Sequence, residues 1–120
     1  MLLCGGPLGV SLTLSTLFAH EGHKGTPITV TGTVVDTGCY VTHDSKGPEH
    51  ATCAAACAKN GVPLAILDNS GKLYLPIAAD HKNQNLKLMP YIEKKVKVTG
   101  TSLEKGGVQG IAIKTVEGTE

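Results

Sequence analysis

Cys39, His50, Cys53 and Cys57 bring three of the chain's four cysteines and one of its five histidines into one short stretch. His50, Cys53 and Cys57 are spaced i, i+3, i+7. On an α-helix these positions fall at about 0°, 300° and 340°, a stripe roughly 60° wide. One helix face would then carry an imidazole and two thiols, with Cys39 supplied from the end of a preceding strand. Three sulfurs and one nitrogen around a point form a Cys3His metal site, which suits Zn(II) first and Cu(I) second. A [2Fe–2S] cluster could use the same ligands, but export of a loaded cluster calls for a twin-arginine signal, and the chain has no Arg. Two other readings stay open. Cys39 could pair with Cys53 or Cys57 in a disulfide, leaving one thiol free, or the thiols could be small buried hydrophobes.

The local sequence supports the helix. Pro48 suits its first position and Gly47 the cap before it. Glu49 places negative charge in the first turn, and Ala51, Ala54, Ala55, Ala56 and Ala58 are strong helix formers. Gly61 suits the left-handed residue after the C-terminus, with Pro63 beyond it. The spacing predicts a helix over 48–60.

Residues 2–19 carry no charge, and His20-Glu21-Gly22-His23-Lys24 then turns abruptly polar. This pattern resembles the apolar region of a signal peptide over residues 1–19, cleaved after Ala19, with 20–27 as a polar linker. A periplasmic or extracellular address follows, with no stable membrane anchor after cleavage. Cys4 would leave with the signal. The new N-terminus would offer an α-amine, His20, Glu21 and His23 as a weaker second metal site, against the simpler reading of a solvated linker. His43 and His81 fall in expected loops and read as solvated.

The 120 residues set a single domain as the expectation, and a monomer with it. The net charge is +1, with the lysines dispersed apart from Lys94-Lys95-Val96-Lys97. That is not the basic stripe nucleic acid requires. Phe18, Tyr40, Tyr74 and Tyr91 are the aromatics, and there is no Trp. The core must come from Val, Ile, Leu and Ala, and so small a core would benefit from a metal or covalent staple.

Ile28-Thr29-Val30-Thr31-Gly32-Thr33-Val34-Val35-Asp36 alternates as a half-buried strand, with a bend expected at Gly32. Further strands are expected at 63–67 and 72–77, joined by the Asp68-Asn69-Ser70-Gly71 turn, and at 96–101 and 108–116, joined through Gly106-Gly107. Between these hairpins the chain reads as a loop with one helical turn before Pro90. The result is a mainly β fold with one inserted helix: a small, OB-like, partly open antiparallel barrel over 28–117.

Gly32-Thr33-Val34-Val35-Asp36-x-x-Cys39, with Lys94-Lys95-Val96-Lys97-Val98-Thr99-Gly100-Thr101 before the Gly-Gly hairpin, resembles small exported bacterial OB-fold-like domains. The resemblance covers roughly 28–117 and includes Cys39 with His50-x-x-Cys53-x-x-x-Cys57. It implies the barrel and the address, and attaches no activity. OB-folds that bind oligonucleotides use aromatic platforms, which this chain lacks.

No Gly-x-Ser-x-Gly, phosphate loop, His-Glu-x-x-His or Cys-x-x-Cys is present. The expected function is a small exported, non-enzymatic metal-binding protein using Cys39, His50, Cys53 and Cys57. The alternatives are a thiol–disulfide redox protein using two of those cysteines, or a disulfide-stapled module that docks a protein partner.

Overall fold

A computed structural model describes residues 25–119. The signal segment, most of the linker and the His20/His23 pair lie outside the described residues. Five strands are present: β1 (Thr26–Asp36), β2 (Leu64–Asp68), β3 (Leu73–Pro76), β4 (Lys95–Lys105) and β5 (Val108–Gly118). They close into a barrel in the order β1-β2-β3-β5-β4, as expected for an OB-like fold. Two features differ from the sequence expectation. The barrel is fully closed, and β3 pairs with β5 in parallel through Leu75↔Gly110 and Pro76↔Ile111.

Closure depends on the length and coiling of β1. Its first part, Thr26 to Thr33, pairs with β4, while Gly32 to Asp36 pairs with β2. One strand thus serves as edge partner to both halves of the sheet, which removes the free edges. The crossing occurs at Gly32, where a Cβ would collide with the carbonyl of Leu67. Gly100 plays the matching part on β4: its backbone lies against the Ala112 carbonyl, beside the register shift at Thr99/Gly100. Close backbone approach in mid-strand is what glycine permits.

The interior is aliphatic. Val30, Val34, Ile66, Val96, Val98 and Ile111 fill it, with Tyr74 as its aromatic member. Leu64, Ala65, Ile66 and Leu67 are all buried in succession, so this end of β2 is covered on both faces. The segment joining β1 to β2 lies at that end of the barrel. It contains α1 (Thr37–His43), a 3-10 turn (Pro48–His50) and α2 (Ala51–Lys59). The 3-10 turn and α2 occupy the expected 48–60 helix. Ala51, Ala54, Ala55 and Ala58, spaced i, i+3, i+4, i+7, pack α2 onto the core.

The α1 helix was not expected. Thr, Gly and Val are weak helix formers, and its stability comes from its ends. Asp36 caps it by accepting the Cys39 N–H at 2.8 Å, and Asp44 ends it in the left-handed conformation at φ 56°. A third helix, α3 (Asn85–Leu88), and a 3-10 turn at Met89–Tyr91 stand where one helical turn was expected before Pro90.

Asn85 ties these parts together. Its Oδ1 accepts the Leu64 N–H at 2.9 Å, while Nδ2 donates to Ala58 O at 3.1 Å and Val62 O at 2.9 Å. It therefore satisfies the C-terminus of α2, the loop after it and the first residue of β2. Asn85→Leu would take this partner from the Leu64 N–H and the Val62 carbonyl, while the Ala58 carbonyl keeps the Gly61 N–H at 3.1 Å. Such groups cost about 1–3 kcal/mol each, so a loss of at least about 2 kcal/mol is expected. Thermal unfolding should then show Tm falling by roughly 8 °C or more.

Candidate metal centre

Asp36 is the last residue of β1, the N-cap of α1 and completely buried. A buried carboxylate requires partners, and Asp36 has one for each oxygen. Oδ1 accepts from Cys39 N at 2.8 Å, and Oδ2 lies 2.7 Å from His50 Nε2. The Asp36-x-x-Cys39 spacing places the Cys39 side chain over the first turn of α1. The 3-10 turn presents His50, whose N–H is held by the Gly47 carbonyl at 3.0 Å. Ligand atoms of Asp36, Cys39 and His50 lie within 4.8 Å of one another.

This group differs from the four residues the sequence singled out. Cys39 and His50 are brought together, while Cys53 and Cys57 stand outside the gathered set. The cause is the phase of α2. Its alanine face turns inward, which puts Cys53 about 150° from the centre of that face, and Cys53 is exposed. Cys57, closer to the flank, is half-buried, and its thiol is close enough to Cys39 to interact with it. The 3-10 turn also changes the angular step between His50 and the α-helix, so the three do not form one stripe. Among the described residues Cys39, Cys53 and Cys57 are free thiols, with no disulfide between them.

Sequence reasoning missed Asp36 as a candidate site residue. Its signal was an Asp three residues before a Cys at the end of a strand, which is also an N-cap signature. It missed Glu93 as well. Glu93 is buried, adopts φ 57°, and accepts the Gly47 N–H through Oε1 at 3.0 Å. Burial is the main cause that raises its carboxyl above the ordinary value, and Asp36 and Glu49 add to it. The Gly47 N–H and His50 act in the opposite direction.

The electrostatics of the thiol are equally directional. Burial, then the negative charge of Asp36, then Cys57 raise the Cys39 thiol above its ordinary value. Without a cation Cys39 is therefore a thiol at neutral pH, and an ion binding there would displace its proton. An open polar cavity of about 330 Å³, lined by His43, Asp44, Ser45, Lys46, Glu49 and His50, gives access beside His50.

A carboxylate, a thiolate and an imidazole are all zinc ligands, and the set fits a borderline divalent ion. With one thiol in the gathered group, it fits soft Cu(I) less well. Comparison with family models, curated proteins and solved structures finds no match for this chain.

The thiols should differ in reactivity. At pH 7.5, iodoacetamide should modify exposed Cys53 first and Cys39 last, as read by timed peptide mass spectrometry. Equal rates at the two positions would contradict the environment described for Cys39.

Proposed function

We propose that this chain is a small exported protein that binds one transition-metal ion, Zn(II) before Cu(I), without catalysing a reaction. The observation that carries this reading is the convergence of Asp36, Cys39 and His50 from a strand end, a helix and a 3-10 turn. Three ligand types on separate elements, on a closed barrel, give the preorganised geometry a tight site needs. None of the three residues carries a permanent positive charge. Asp36 is fully buried against an imidazole that is cationic only when protonated, and Cys39 faces a like charge once ionised. A bound ion would neutralise all of these and fix the registry of α1, the 3-10 turn and β1. The uncharged 2–19 segment followed by a polar linker supports export.

A thiol–disulfide couple is the second reading. The proximity of the Cys57 thiol to Cys39 favours that pair over either pairing with Cys53. Three titratable thiols in the metal-free protein, with no two-electron couple in mild oxidant, would argue against it.

Native mass spectrometry should show one zinc per chain. Zinc at about a hundredfold its Kd should add about 2.7 kcal/mol of stability, raising Tm by roughly 10–20 °C. Cys39→Ser and His50→Ala should each weaken zinc by at least about 100-fold, because removing even an outer partner of a ligand costs 10–100-fold. Cys53→Ser should leave affinity within about twofold, as expected for an exposed non-ligand. Equal loss at Cys53 would defeat this assignment.

A further inference from the structure

Glu93 bears two costs that its own hydrogen bonds do not explain. Its backbone lies in the left-handed region at φ 57°, where a residue with a side chain is disfavoured. The residue is only 6% exposed, and Oε2 is buried with no hydrogen-bond partner. Leaving such an oxygen buried without a partner costs its full desolvation penalty, which is larger when the group is charged. Costs of this kind concentrate at functional sites.

The position of Glu93 gives the reason. Its N–H donates to the Val34 carbonyl at 2.8 Å, two residues before Asp36. Its Oε1 accepts from Gly47, which starts the turn carrying His50. The charged groups that act on it are His50, Asp36 and Glu49. Glu93 therefore joins the strand end that bears one ligand to the turn that bears another, with one oxygen left over.

We infer that Glu93 is the fourth ligand of this centre, its Oε2 completing the coordination of a divalent cation held by Asp36, Cys39 and His50. The inference rests on the metal-binding reading above and deepens it. Glu93 is not among the three residues whose ligand atoms already lie within 4.8 Å of one another. Its recruitment is an induced step: the charge of the ion draws in an oxygen that has no other partner. The completed set has two carboxylates, one thiolate and one imidazole. That donor set selects a borderline divalent ion over Cu(I), which prefers sulfur. It also leaves no open position, as in a storage or structural site.

Cobalt(II) titration of the full chain tests this. The wild type should show a sulfur-to-cobalt charge-transfer band from Cys39, together with the intense visible bands of four-coordinate Co(II). Glu93→Gln keeps an oxygen for Gly47 and should fold, with a metal-free Tm at or above that of the wild type because the buried charge is gone. It should bind Co(II) at least about tenfold more weakly and lose visible intensity as water enters, while retaining the charge-transfer band. Glu93→Asp, which keeps the charge on a shorter arm, should fall between the two. Wild-type affinity and an unchanged visible spectrum in Glu93→Gln would overturn the role of Glu93 and leave the three-residue centre standing. Absence of the charge-transfer band from the wild type would remove the metal-binding reading itself, and this inference with it.

Discussion

Asp36 is fully buried, and each of its oxygens holds a different part of the chain in place. One caps α1 through the Cys39 N–H, and the other holds His50. A carboxylate removed from water must keep such partners or be neutralised. Satisfying that demand determines where the β1–β2 connection lies. It fixes the start of α1, and with it the position of Cys39. It also pins the 3-10 turn, and through His50 the start of α2. Removing the Asp36 carboxylate would not merely subtract one candidate ligand; it would release the Cys39 turn and His50 as well.

The barrel provides the rigid end on which this occurs. Because β1 pairs with β4 over one half and β2 over the other, its last residues cannot fray as a free strand end would. Val34 and Val35 are both buried immediately before Asp36, so the carboxylate emerges from packed backbone. On the other side, Ala54 and Ala58 hold α2 against the core. That packing decides which cysteine can reach the centre. Small side chains allow the helix to lie close, and the face they select turns Cys53 to solvent. Hydrophobic packing thus overrides the sulfur stripe apparent in the linear sequence.

The legible parts of the sequence were those with strong local periodicity. Alternation in 28–36 and 96–101, the Asp68-Asn69-Ser70-Gly71 and Gly106-Gly107 turns and the alanines of 51–58 located all five strands and the main helix to within a few residues. Gly32 marked the bend that closes the barrel. The α1 helix was illegible because Thr37, Gly38, Val41 and Thr42 have little helix propensity, and its cap, Asp36, also reads as a strand terminus. For the site, the types Cys and His drew attention to Cys39 and His50, which the structure brings together. Two acids were overlooked. Asp36 resembled turn chemistry, and Glu93 followed Pro90-Tyr91-Ile92 with no pattern to mark it as buried. Burial of an isolated acid is set by tertiary contacts, which one sequence does not display.

The zinc K-edge X-ray absorption spectrum of the loaded wild-type protein would test the central assignment most directly. A centre built on Asp36, Cys39 and His50 should give one sulfur at about 2.3 Å and the remaining light atoms at about 2.0–2.2 Å. Two or three sulfurs around the ion would contradict it, and would instead bring Cys57 and Cys53 in from the positions in which the fold holds them.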